Sequence, residues 1–240
     1  MEERKFVIPG DEIGEGRSGH NAYFENGKVF SKVVGIAEKR GDMCFVIPLS
    51  GVYSPKRGDG VIGRVFEVSF SKWIIEINSP YKGVLPLNEA VDEFVDLAKT
   101  DLTKYFDYGD LVFTEITSVS NSKNVQLSMR DRKCRKLREG RLMEVTPTKV
   151  PRIIGKNGSM VEMIKRITDT QIVVGQNGVV WIKGDNEVAA AEAIMTVEKM
   201  SHTQGLTERI KTMLLEKFPD MKEALESEDS EKVNDDGRND

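Results

Sequence analysis

Two glycines three residues apart join two segments of helical apolar spacing in Pro151-Arg152-Ile153-Ile154-Gly155-Lys156-Asn157-Gly158-Ser159-Met160. This dictates a helix, a sharp elbow and a second helix. Glycine at both ends lets the backbone enter conformations that are costly for other residues and lets a second backbone approach closely. Lys156 and the amides opening the second helix add positive potential, and a bare, basic elbow suits a phosphodiester chain. A glycine C-cap between two packed helices has the same local sequence, so the flanks decide. Leu142 to Val145 reads as a strand, Lys149 to Ile154 as a short helix, and Met160, Val161, Ile164 and Ile167 as the apolar face of the next helix. Gln171 to Val174 and Val179 to Lys183 form a hairpin through Asn177-Gly178, and Asp185 opens an alanine-rich helix running to about Met200.

That order, βααββα, resembles the KH family of RNA-binding domains in its type I arrangement over residues 139–202, carried by Ile153-Ile154-Gly155-Lys156-Asn157-Gly158 and the apolar residues behind it. The resemblance implies that the elbow clamps the backbone of about four unpaired nucleotides, with bases along the adjoining apolar groove. It places Arg152, Ile154, Gly155, Lys156, Asn157 and Gly158 on the RNA.

The charge of the whole chain, a formal net of −4, does not look like that of a nucleic-acid binder, but its distribution does. From Arg130 to Arg141 there are seven basic residues against Asp131 and Glu139, and from Lys222 to Asp240 eight acidic residues against three basic. The tail therefore holds a net −5, and the rest of the chain, −4 less −5, sums to +1. Cys44 and Cys134 lie far apart, which supports neither a disulfide framework nor a zinc site and points to a reducing compartment. No apolar leader and no bilayer-length run is visible, so the expectation is a cytoplasmic protein with no membrane contact.

Residues 1–54 are rich in glycine and β-branched residues. Phe6 to Ile8, Ala22 to Phe24, Lys28 to Phe30, Lys32 to Val34 and Cys44 to Ile47 read as short strands, turning at Pro9-Gly10, Asn26-Gly27 and Arg40-Gly41-Asp42. A sheet this small buries little alone, so it packs on the next domain or docks a partner subunit, with Phe24 to Val34 as the docking surface. His20 sits in a glycine-flanked loop without metal-ligand spacing and reads as a loop histidine.

After Tyr53 to Asp59, a linker, residues 55–130 read as about five short strands interrupted by one amphipathic helix, Glu89 to Lys99, with Val91, Phe94, Val95 and Ala98 on one face. That is what a small closed barrel of the OB type requires. Gly60 to Val65, Gly83 to Pro86, Tyr108 to Val112 and Val125 to Ser128 resemble the RNA-binding OB fold of the ribosomal protein S-one family. Two aromatics on the first long hairpin of that family face solvent and stack on bases; Ser71 and Ile74 stand at those places here. Period-two alternation puts Trp73, Ile75 and Ile77 in the barrel core and Ile74 and Glu76 outside, so Trp73 reads as packing and not as a stacking platform. Arg64, Lys72, Lys82 and Lys123 are the candidates for guiding a phosphate backbone there. The charged stretch from Arg130 onward is either a solvated connector or helix, or an electrostatic strip between two RNA binders, with Arg130 counted among the RNA contacts.

Leu206, Ile210, Met213 and Leu214 line one stripe of a helix within 203–221 that packs on the KH unit or a neighbouring subunit, and 222–240 reads as a disordered acidic tail. The fold class expected is therefore multidomain: a small N-terminal β-sheet domain, a five-stranded OB barrel, a type I KH domain and the tail. Along nearly its whole length the chain is similar to the KH-containing cap subunits of the archaeal RNA exosome, including Ile8-Pro9-Gly10-Asp11 and the Tyr53-x-Pro55-x-x-Gly58-Asp59 linker. The resemblance implies a non-catalytic RNA-binding protein without metal or cofactor. Three copies would sit on a six-membered ring of phosphorolytic RNase subunits, feeding single-stranded RNA to the central pore, with the N-terminal sheets anchored to the ring. A free-standing or ribosome-associated RNA-binding protein fits the RNA domains equally well but leaves the N-terminal sheet unexplained. An enzyme reading lacks its groups, since two histidines and no clustered ligand motif provide neither a nucleophile with a base nor metal ligands.

Overall fold

In the computed structural model, residues 5–93, 95–96, 100–201 and 205–219 are described. The chain forms two units, Met1–Tyr53 with Thr146–Thr148, and Ser54–Val145 with Lys149–Asp240.

The first unit holds β1 (Lys5–Val7), β2 (Glu12–Gly14), β3 (Arg17–Ser18), β4 (Ala22–Glu25), β5 (Lys28–Ser31), β6 (Gly35–Arg40) and β7 (Met43–Pro48). They make two sheets, ordered β1-β6-β7-β3 and β2-β5-β4. Val7, Ala37 and Val46 form the core of the first, Ala22 and Val29 of the second pack with Cys44 of β7, and Ile13 packs on both clusters. The expected strand Lys32 to Val34 is instead a bend. The buried Ser31 hydroxyl donates to the carbonyl of Val33 at 2.6 Å and accepts from its amide at 3.3 Å, a local pairing that competes with a ladder. On the opposite side of the first sheet the register aligns Phe6, Ile36 and Ile47, with Phe6 60% exposed. The outward apolar surface therefore extends beyond Phe24 and Val34, both exposed, to this row.

The second unit begins with the barrel: β8 (Gly60–Ser69), β9 (Lys72–Glu76), β10 (Gly83–Pro86), β11 (Leu111–Val119) and β12 (Val125–Ser128). The sequence β12-β10-β9-β8-β11 closes through β11–β12 pairing. Trp73, Ile75 and Ile77 are fully buried and Glu76 is exposed, as alternation required. Trp73 is held doubly: its indole N–H donates to the carbonyl of Phe106 at 2.9 Å, and the two rings meet edge to face at 5.3 Å. The helix expected from Glu89 to Lys99 is only α1 (Leu87–Ala90); no side chain caps its start, and the β-branched Val91 is already extended at φ −135°. Phe94, Ala98 and Lys99 of that expectation lie outside the described residues. The charged connector is neither helix nor free coil. Arg135–Leu137 form β13, a sixth strand paired to β11, with Leu137 buried.

The KH fold follows with β14 (Arg141–Glu144), α2 (Val150–Ile154), α3 (Ser159–Thr168), β15 (Gln171–Val174), β16 (Val179–Lys183) and α4 (Glu187–Lys199), its sheet ordered β14-β16-β15. Val150, Ile153, Met160, Val161, Ile164, Ile167, Val180 and Ile194 share one core. The α4 helix starts two residues after Asp185; Asn186 holds its N-cap position without a side-chain capping bond, and its Nδ2 donates to the carbonyl of Thr168 at 3.1 Å. A further helix, α5 (Leu206–Lys217), adds Leu206, Ile210 and Leu214 to the KH core. The expected tail, 222–240, lies outside the described residues. Among the described residues no helix is long and apolar enough to cross a membrane.

Candidate nucleic-acid interface

The elbow between α2 and α3 is built by backbone conformation alone. Gly155 ends α2 at φ 77°, ψ 178°, a region essentially reserved for glycine. A Cβ there would lie 2.7 Å from both the backbone nitrogen and the Cβ of Met160, the first buried residue of α3. Asn157 at φ 54° and Gly158 at φ 85° are left-handed, and asparagine tolerates this better than most residues. Around Gly158 the conditions differ from those at Gly155: a Cβ would meet nothing within 4 Å. No side chain caps α3, so its first amides and the positive end of its dipole are left to whatever approaches the elbow. Arg152, Lys156 and Asn157 are exposed around it and Ile154 is half-buried. The arrangement presents an open, positively polarised backbone to an anion.

The barrel residues are distributed differently from the expectation. Lys82 lies over the Phe66 ring, its Nζ 3.0 Å from the centroid, and Lys72 opens β9 with its side chain exposed. Lys123 sits at φ 64° in the exposed β11–β12 turn. Arg64 faces Glu76 across the β8–β9 ladder and lines a cleft of about 270 Å³ with Glu76, Asn78, Leu142 and Glu144, where carboxylates offset its charge. Arg130 is committed to the protein: its guanidinium donates to the carbonyl of Asn88 at 2.7 Å and pairs with Glu89 at 3.4 Å, fastening α1. Within the basic connector Lys136 pairs with Asp110. Burial pushes the Asp110 carboxyl up, but hydrogen bonds from Lys136 and the Asp107 amide outweigh it and leave the group below the usual carboxylate range. Burial pushes the Cys134 thiol up to about 11, so it offers no thiolate at neutral pH, and Cys44 is fully buried and out of reach of solvent.

Sequence reasoning missed two aromatics. Ser71 and Ile74 stand at the places of the family's stacking aromatics, yet Phe66 is 51% and Phe70 76% exposed on the same hairpin. The β8–β9 register shifts between Val65 and Glu67, leaving Phe66 as the extra residue of a bulge, a device that re-aims side chains beside functional surfaces. The alternation of buried Val61, Gly63 and Val65 already put Phe66 outside; Phe70 lies beyond the end of β8, where alternation gives no guidance. With Lys72 opening β9 and Lys82 just before β10, this hairpin combines exposed rings with cations, the chemistry that holds a single strand by stacking and charge.

The comparisons with known proteins agree with this geometry segment by segment. The family model described as the Exosome RNA binding protein RRP4 N-terminal domain matches residues 4–50, the RRP4 S1 domain 52–118, and the KH domain 140–188. Exosome complex component Rrp4 of Thermococcus kodakarensis is 42% identical over 238 residues, covering 96% of this chain and 93% of that protein. The Pyrococcus furiosus component of the same name is 40% identical over 230 residues, covering 93% and 87%. A crystal structure described as that of an exosome complex RNA-binding protein aligns with a TM-score of 0.62 at 29% identity, over 69% of this chain and 97% of that one. Three domain matches in the right order, full-length relatives at about 40% identity and the intact glycine elbow lead to one conclusion: this chain belongs to the Rrp4 family of exosome components.

Proposed function

We propose that this chain is the non-catalytic RNA-binding cap of a cytoplasmic archaeal exosome. Three copies sit on a six-membered ring of phosphorolytic RNase subunits and deliver single-stranded RNA to its central pore for 3'-5' degradation. The observation that carries the reading is the uncapped, glycine-bounded elbow before α3, in the same folded unit as a barrel hairpin that exposes Phe66 and Phe70. Residues 1–54 are the ring anchor in this account, and the row of exposed Phe6, half-buried Ile36 and exposed Ile47, with Phe24 and Val34, supplies its apolar contact. Residues 55–130 and 139–202 hold RNA, the helix Leu206–Lys217 within 203–221 braces the KH core, and the acidic composition of 222–240 serves solubility. At the RNA stand Arg152, Ile154, Gly155, Lys156, Asn157 and Gly158, joined by Phe66, Phe70, Lys72, Lys82 and Lys123. Arg64 and Arg130 have carboxylate neighbours and contribute less. Affinity isolation from the native host followed by mass spectrometry tests the reading. Ring subunits should co-purify at a ratio of six to three with this chain, and deleting residues 1–54 should release them; isolation of ribosomes or of the chain alone would favour the free-standing binder. The purified chain should neither hydrolyse nor phosphorolyse RNA.

A further inference from the structure

The turn of the β15–β16 hairpin carries Asn177, which is fully buried although it lies at a hairpin tip. Its amide reaches into the barrel. Nδ2 donates to the carbonyls of Ile62 at 2.7 Å and Ile77 at 2.9 Å, and Oδ1 accepts from the Ile62 amide at 3.3 Å. Ile62 thus gives both its backbone groups to one side chain, as it would to a peptide of a neighbouring strand, at the point where the β8–β9 ladder has ended with Arg64 opposite Glu76. The turn backbone joins in: the Gln176 amide donates to the carbonyl of Gly60 at 2.8 Å, and Asn78 Nδ2 donates to the carbonyl of Asn177 at 3.1 Å. Gly175 has no room for a Cβ between Asn177 and the Ile62 amide. In the middle of β16, Trp181 packs with Ile62 and Leu137, and its indole N–H donates to the carbonyl of Glu139 at 2.6 Å. Glu139 and Gly140, both left-handed, are part of the short link between β13 on the barrel and β14 of the KH sheet, and Lys183 pairs with the Glu139 carboxylate at 2.6 Å.

We infer that Asn177 is a positioning residue for RNA: its amide fixes the glycine elbow and the Phe66–Phe70 hairpin in one geometry, so that one strand meets both as a single footprint. This rests on the reading above that both surfaces contact RNA. A fixed geometry keeps the effective concentration of the second site high once the first is occupied, whereas a junction swinging on residues 138–140 spreads it over many arrangements. Apolar residues alone would glue the two folds, but three directional bonds from one buried amide set their orientation as well.

The test uses the full chain and the variants Asn177→Ala and Asn177→Asp; the aspartate keeps the shape but loses both donated bonds. Binding is measured to labelled single-stranded RNA of about four nucleotides, enough for the elbow, and of about thirty nucleotides, enough for both surfaces. Quenching of Trp181, 3% exposed at the junction, reports whether the junction has opened, against Trp73 buried in the barrel. The expected result is an open junction, four-nucleotide affinity within twofold of wild type, and a gain from short to long RNA smaller by at least tenfold. An open junction with an undiminished gain overturns the proposal, as does an unchanged junction with unchanged binding. Loss of four-nucleotide binding in the variants overturns it too, by making Asn177 a support of the KH fold itself. If wild type binds neither RNA, it is the RNA reading that fails.

Discussion

The two elbow glycines make different demands, and alanine at each separates folding from contact. At Gly155 the ψ of 178° with φ 77° costs an L residue about 1–3 kcal/mol, and the Cβ falls 2.7 Å from backbone and side-chain atoms of Met160, which α3 holds in the core. Relieving that overlap adds about 1–3 kcal/mol, so Gly155→Ala should destabilise by roughly 3 kcal/mol or more. Gly158→Ala meets no atom and bears only the left-handed cost, about 1–2 kcal/mol. Urea denaturation with unchanged m-values gives the two numbers directly. Where Gly158→Ala is fully folded, its RNA affinity should fall further than its stability does, because the added methyl occupies the open space a phosphodiester would use. Equal destabilisation by both alanines would refute the reasoning, as would a Gly158→Ala protein that binds RNA like wild type.

Other perturbations follow from single contacts. Phe66→Ala and Phe70→Ala should each weaken single-stranded RNA binding by about 1–3 kcal/mol with little change in melting, since both rings are largely exposed; calorimetric titration reads the first quantity and differential scanning the second. Asp110→Asn should lower stability at pH 7 by about 1 kcal/mol at most. Its carboxyl is held below the usual range in the folded state, so that stabilisation is present above the unfolded value near 3.9 and fades as pH falls through the folded one. Wild type and variant should therefore begin to converge in acid denaturation only as pH falls below about 4, and meet once it is below the folded value. Iodoacetamide at pH 8 should modify native Cys134 and Cys44 far more slowly than in urea, the first because its thiol is raised to about 11 and the second because it is buried.

Periodicity located what is local. Gln171–Val174 and Val179–Lys183 form the strands expected around Asn177-Gly178, and Trp73, Ile75 and Ile77 bury on alternate positions. The elbow was legible because glycine spacing and apolar spacing belong to the same short segment. What was not legible depends on partners distant in sequence. Asn177 reads as an ordinary turn asparagine until Ile62, 115 residues away, is beside it. Arg130 to Arg138 reads as a charged connector until β11 offers an edge for Arg135–Leu137. Lys32 to Val34 has β propensity, but the Ser31 hydroxyl bends it. Val91 to Ala98 shows helical spacing, yet a helix without a cap ends where its first β-branched residue turns extended. The Phe66 bulge and the turn position of Phe70 hid the exposed rings from a search at the usual places.

The central claim is that the elbow holds RNA through its phosphates, and replacing Lys156 and Asn157 together by aspartate tests it most directly. Aspartate tolerates the left-handed φ of 54° at position 157, both side chains are exposed, and neither glycine is touched, so the melting temperature should stay near that of wild type. Titration of single-stranded RNA over a range of salt gives the contact count. Loss of about two phosphate contacts should lower the magnitude of the logarithmic salt slope by roughly 1.4, and affinity at moderate salt should fall at least tenfold, about 1.4 kcal/mol. A folded variant with the wild-type slope and affinity would contradict the account and leave the glycine elbow a structural turn.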